Sequence, residues 1–238
     1  MTEVREELWV CHLGTLEYRE ALALQERARA ARQAGDVPDV MLLLEHWPVY
    51  TRGRRSGPDE LPMGEDWYRM QGIDIVAVDR GGKITYHGPG QLVGYPIVRV
   101  DDVVQYVRTL EQAIVATLAG EGVAGARARP EDGPDYTGVW TGDRKIASIG
   151  VHVARGVTTH GFAVNVENDL QPFSWVVACG LEGVQMTSVI KETGKLAGQM
   201  KCFRRRVAFE VAQALGRRQR LVSRARLEAA VGAVGAVA

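Results

Sequence analysis

The sequence predicts an α+β fold, a mixed and largely antiparallel sheet sandwiched with helices, on three observations. Strand-like and helix-like segments are grouped rather than strictly alternating. One segment after Asp102 keeps helical spacing of apolar residues over four turns. Residues 136–166 read as a β-meander broken by two turn signals. The 238 residues, 46% hydrophobic and 24% charged, suit a large globular unit rather than a disordered chain. Residues 1–222 are expected to form one domain. Residues 223–238 are expected to be a poorly ordered tail, because the chain ends in small apolar residues and glycines.

In chain order, residues 8–13 form a short strand, and Thr15 is placed to cap a helix running to about Gln33, with Gly35 as its stop. Residues 40–45 are a buried strand, followed by an irregular stretch rich in glycine and arginine at 51–58. Residues 73–79 alternate and are β-branched, a strand ending at Arg80-Gly81-Gly82, and residues 92–98 supply another. Asp101 and Asp102 cap the next helix, whose apolar residues fall at Val103, Val107, Leu110, Ile114 and Leu118. The meander then turns at residues 141–144 and 154–156. A last helix is expected over 199–215.

Composition narrows the function classes. No apolar run approaches the roughly eighteen residues of a membrane span, and the acidic N-terminus does not look like a signal peptide. Three cysteines (Cys11, Cys179, Cys202) are too few for a disulfide framework, so a reducing, cytoplasmic setting is expected. Net charge is zero, yet residues 201–226 hold nine basic residues against Glu210 alone, a net +8. Such a stripe fits either a solvated helix face or an acidic partner. No phosphate-binding loop is present, since Gly194-Lys195 is followed by Leu196, and 88–94 has the wrong spacing for a dinucleotide fingerprint. The five histidines lack helical ligand spacing. His152 and His160 meet across a hairpin, but two ligands do not make a zinc site.

Two features carry chemistry. Residues 80–91 join two strands with four glycines and with Thr85, Tyr86 and His87, so a backbone able to approach a ligand closely stands beside polar recognition groups. Cys179 ends the apolar segment 176–178 at a glycine turn. A free thiol, with its pKa of about 8.5, needs a base or cation to become nucleophilic. Lys145 and the two histidines are candidates, and spacing alone does not choose among them. An inert buried thiol is the other reading.

Residues 80–91, 142–150, 159–169 and Ala178-Cys179-Gly180 together resemble the lipoyl(octanoyl) transferases, in order and spacing over roughly residues 8–215. The resemblance implies a fold shared with biotin and lipoate protein ligases. It also implies transfer of an octanoyl group from octanoyl-acyl carrier protein to the lysine of lipoyl domains in 2-oxoacid dehydrogenase complexes, by a single catalytic acyltransferase domain. Cys179 falls on the acylated cysteine, and Lys145 on the lysine that lowers its pKa. The acyl-binding segments fall on Arg80, Gly81, Gly82, Lys83, Ile84, Thr85, Tyr86 and His87; on Ser148, Ile149 and Gly150; and on Gly161, Phe162 and Ala163. Ala178 departs from the family, which often has proline there. No cofactor, metal, nucleic acid or membrane is expected, and the chain is expected to be a monomer. An ATP-dependent lipoate or biotin ligase on the same fold, or a non-enzymatic carrier-protein-binding domain, are the rival expectations.

Overall fold

The computed structural model describes residues 6–176 and 183–232. It opens with β1 (Glu7–Leu16), α1 (Tyr18–Ala34) and β2 (Asp39–His46), with β1 and β2 parallel. Thr15 does not cap the helix: pairing with Glu45 holds it in β1, which runs on to Leu16. The cap is Glu17, whose carboxylate accepts from the Glu20 amide at 2.9 Å, and Gly35 ends the helix at φ +88°.

Next come β3 (Val49–Arg52), α2 (Glu65–Met70), β4 (Asp74–Ala77) and β5 (Thr85–His87). These three strands form a small sheet of order β4-β3-β5. The expected irregular stretch at 51–58 thus begins inside β3, buried at Val49, Tyr50 and Thr51.

Strand β6 (Gln91–Ile97) and helix α3 (Val103–Gly120) follow. Asp102 caps α3 by accepting from the Val104 and Gln105 amides at 2.8 and 3.0 Å. Short β7 (Ala126–Arg127) leads into the expected meander: β8 (Gly138–Thr141), β9 (Arg144–Ala154) and β10 (Val157–Asn165). Beyond it lie β11 (Gln185–Met186), α4 (Val189–Thr193), α5 (Met200–Ala214), β12 (Arg218–Val222) and α6 (Arg224–Val231).

The main sheet runs β12-β1-β2-β6-β10-β9-β8-β7, with β11 beside β9. It is mixed, parallel around β1 and antiparallel from β2 to β7. Helices α3 and α5 cover one face, where Leu92, Val164 and Phe203 are buried, and α1 covers the other, with Leu42, Val93 and Leu24. Burying each such aliphatic side chain is worth about 1.5–3 kcal/mol. The expected tail is corrected over 224–231: α6 is capped by Ser223 and buries Leu227 against the α1 face, while residues 233–238 lie outside the described residues. Among the described residues no helix is long and apolar enough to cross a membrane.

Candidate active site

A cavity of about 490 Å³ is lined by residues of β5, β6, β9, β10, the start of α3 and the 130–137 connection. Its glycine-rich wall is built by the turn into β5. The Gly81 amide donates to the Val151 carbonyl of β9 at 3.0 Å, and the Arg55 amide donates to the Gly82 carbonyl at 3.1 Å. Gly82 sits at φ +87°, where a side chain is strained, and a Cβ on Gly53 would lie 2.5 Å from the Gly82 carbonyl oxygen. Arg80 is buried behind this turn; its Nη2 donates to the Thr51 carbonyl at 2.7 Å and to its hydroxyl at 2.8 Å.

Of the positions singled out in the sequence, Arg80, Gly81, Gly82, Lys83, Thr85 and His87 line the cavity, as do Lys145, Ser148, Ile149, Gly150, Gly161, Phe162 and Ala163. Ile84 and Tyr86 do not. The two-residue period of β5 turns them away, into a cluster with Tyr50, Tyr68 and Phe173. Cys179 lies outside the described residues.

Lys145 also lines the cavity and is buried, 2% exposed. Strand β9 places it opposite Trp140, over whose ring its ammonium stands 5.2 Å from the centroid. The chain returns to the same strand after residue 182: Met186 of β11 pairs with Lys145, whose carbonyl accepts from the Thr187 amide at 2.9 Å.

One wall of the cavity is polar and uncharged. His87 Nδ1 is 2.7 Å from Gln91 Oε1, and the Gln91 amide is oriented by donating to Asn165 Oδ1 at 2.9 Å. His87 therefore carries its proton on Nδ1 and accepts the Thr51 hydroxyl on Nε2 at 3.3 Å. By the same accounting His46 donates from Nδ1 to the Leu16 carbonyl at 3.1 Å and accepts from the Tyr95 hydroxyl on Nε2 at 2.7 Å. His160 donates to Asp79 at 2.7 Å, and the Tyr18 hydroxyl donates to its Nδ1 at 3.4 Å. Burial holds His46 and His160 down to about 4 and His87 well below the usual imidazole value, so all three are neutral at pH 7. Burial also pushes the Tyr18 hydroxyl up to about 12.

His152 and His160 do meet, both on Asp79, at 3.4 and 2.7 Å. Among the described residues no group of three metal-ligating side chains forms. The sequence reading missed Tyr18, Val93 and Tyr95, which line the cavity from α1 and β6. Tyr18 opens a helix, and Val93 and Tyr95 sit in a buried strand, positions that by themselves name no partner. Of the other cysteines, Cys11 is buried and its thiol is pushed up to about 11 by burial, whereas Cys202 is exposed.

The model of the lipoyl protein ligase A/B catalytic domain matches residues 17–211. The fold agrees: the T. acidophilum protein Ta0514 with bound lipoic acid superposes with a TM-score of 0.75 at 21% identity, covering 94% of this chain and 92% of that one. Lipoate-protein ligase A bound with ATP superposes at 0.73 and 21%, with the same coverage. Curated relatives are nearer in sequence. An octanoyltransferase of Solibacter usitatus is 49% identical over 173 residues, 71% of this chain and 76% of the relative. That of Dictyoglomus thermophilum is 39% identical over 201 residues, 84% of each. The matched family model makes the chain a lipoyl protein ligase A/B catalytic domain. Within that class, the chain belongs to the lipoyl(octanoyl) transferase family.

Proposed function

We propose that this chain is an acyltransferase that carries an octanoyl group from acyl carrier protein, through a thioester on Cys179, to the ε-amine of a lipoyl-domain lysine. Its curated relatives are named octanoyltransferases. The observation that carries the mechanism is Lys145, a buried cation in a cavity whose other walls include Val93, Ile149, Phe162 and Ala163. An apolar chamber of this size suits an eight-carbon chain, and the ammonium at its wall stabilises a nearby thiolate. The chain rejoins the Lys145 strand at Met186, seven residues after Cys179, which supports a Cys179–Lys145 pair.

In the first step the Cys179 thiolate attacks the thioester carbonyl of the donor. The new C–S bond forms as the carrier's C–S bond breaks, and the departing carrier thiolate takes a proton. One thioester replaces another, so no ATP is required. In the second step the acceptor amine attacks the Cys179 thioester, the amide C–N bond forms and Cys179 leaves as thiolate. The proton lost by the amine passes to a base at the site.

Intact mass after mixing with octanoyl-acyl carrier protein tests the reading. One octanoyl adduct is expected on the wild type and none on Cys179→Ala, which also loses transfer to lipoyl domains. An ATP-dependent ligase would instead use free octanoate with ATP and keep its activity in Cys179→Ala. That result would replace the proposal.

A further inference from the structure

Helix α3 buries a carboxylate on a face that is otherwise apolar. Glu111 is 0% exposed, among the buried residues Leu110, Ala113 and Ile114 of the same helix. A buried carboxylate is costly unless charged and hydrogen-bonded partners answer it, and an aliphatic side chain would fill the same place at less cost. Both oxygens of Glu111 are answered. Oε2 pairs with Nη1 of Arg108, three residues back on the helix, and Oε1 accepts the Gly138 amide at 2.9 Å.

Both partners belong to the surroundings of the cavity. Arg108 lines it. Gly138 is the first residue of β8, where the chain re-enters the main sheet from the 130–137 connection. Its φ of +133° favours glycine, and the space at its Cα is already taken. A Cβ there would stand 2.2 Å from the Ala147 carbonyl oxygen and 3.0 Å from Lys145 Cε. The Lys145 side chain therefore runs directly over the Gly138 backbone on its way to the Trp140 ring. The pairing of β8 with β9 is irregular at the same point. Val139 pairs with Ala147 and Trp140 with Lys145, which leaves Ile146 as a bulge. A bulge bends its strand and re-aims the side chains beside it. Whatever fixes Gly138 thus fixes the floor beneath Lys145, where β9 is least regular.

We infer that Glu111 is a positioning residue for Lys145, acting by its reach, through the hydrogen bond to Gly138, rather than by its charge. The inference rests on the proposed Cys179–Lys145 pair. Attraction between an ammonium and a thiolate falls with separation, and a small misplacement of a reacting group costs a large factor in rate. Arg108 holds the Glu111 carboxylate so that Oε1 faces Gly138, and Gly138 in turn keeps the Lys145 stem in one place.

Two conservative variants of the full chain separate reach from charge. Glu111→Gln keeps the length and an acceptor oxygen for Gly138 but loses the charge. Glu111→Asp keeps the charge and falls one methylene short. The readouts are octanoyl transfer from octanoyl-acyl carrier protein to a lipoyl domain, and Cys179 alkylation against pH with the exposed Cys202 as internal reference. Urea midpoints refer each rate to folded protein. Glu111→Asp is expected to lose about tenfold to a hundredfold in kcat with the donor KM unchanged. Its alkylation midpoint should move toward that of Lys145→Met. Glu111→Gln should stay close to the wild type in both readouts. In a Lys145→Met background, Glu111→Asp should slow alkylation no further.

A loss in Glu111→Gln with Glu111→Asp intact would make charge the cause and overturn the inference. No loss in either variant, an equal loss in both, or a further loss on top of Lys145→Met would overturn it as well. Failure of the octanoyl-transfer proposal looks different: no octanoyl adduct forms on the wild type, whatever residue stands at position 111.

Discussion

Two groups of charges in this molecule behave in opposite ways. The basic stripe of residues 201–226 is conspicuous in the sequence, yet none of it lines the cavity. The fold absorbs most of it. Arg206 meets Glu121, Arg217 meets Glu6 and Asp39, Arg218 and Arg220 meet Glu7, and Arg224 meets Glu20 and Glu228. Arg226 lies over the Trp9 ring. These contacts fasten β12 and α6 to β1, β2 and α1, and α5 to the end of α3, and they place charge on the exposed edge strand β12, where it discourages pairing with another chain. The cavity, by contrast, holds Lys145 and Arg80 as buried cations beside neutral histidines. Charge that comes in runs is screened by solvent and answered by nearby acids. The charge proposed for the chemistry is buried and silent in composition.

The strongest way to break this contrast is Lys145→Met, which removes the buried cation and nearly keeps its volume. Acylation by octanoyl-acyl carrier protein is expected to fall at least a thousandfold, about 4 kcal/mol of barrier. The rate of Cys179 alkylation at neutral pH should fall with it. Unchanged alkylation against pH would remove Lys145 from any role at the thiol.

The neutral histidines sharpen the contrast through stability. An unfolded chain protonates His46 and His160 near 6.5, whereas burial keeps them neutral down to about 4 in the fold. Stability is therefore complete above pH 6.5 and is lost as pH falls from there toward 4, by on the order of 3 kcal/mol for each. Urea midpoints at pH 7, 5.5 and 4.5 should descend steadily, and His46→Gln should flatten the slope. A level profile would mean that these imidazoles are charged in the fold.

Legibility in the sequence followed the same division between local and distant causes. Helix α3 was readable because its cap, Asp102, and its apolar stripe are local. The meander was readable from its turns, and the glycine-rich wall from its composition. Thr15 misled because long-range pairing with Glu45 outweighs its capping tendency. The small sheet was missed because β3 gains its identity only from partners at 74–77 and 85–87. Strand β12 was missed because Arg-Gln-Arg-Leu-Val carries no strand alternation and pairs with β1, which begins at Glu7, far back in the chain. In the site, Thr85 and His87 were separable from Ile84 and Tyr86 only once β5 had a direction. The uncharged wall draws Tyr18, His87, Tyr95 and His160 from four elements, so no spacing announces it.

Within the stripe, burial of the partner should set the size of each effect. Arg217 answers Asp39, whose carboxylate is 1% exposed and is also held by Arg32 at 2.7 Å. Arg217→Met leaves that buried carboxylate with one cation fewer, and a loss of about 1–3 kcal/mol in urea titration is expected.

Arg218 and Arg220 stand at the other limit, with side chains 69% and 50% exposed on the edge strand β12. Each holds Glu7 in a pair that water and salt already weaken. The double variant Arg218→Gln/Arg220→Gln should shift Tm by no more than a few degrees, and 300 mM salt should erase most of the difference. Its KM for octanoyl-acyl carrier protein should match the wild type, because neither side chain approaches the cavity. A several-fold rise in that KM, with a small neutral octanoyl thioester unaffected, would show that the stripe guides an acidic donor to the site. The conspicuous charges would then serve catalysis as well as the fold, and the contrast between the two regions would fail where it predicts the least.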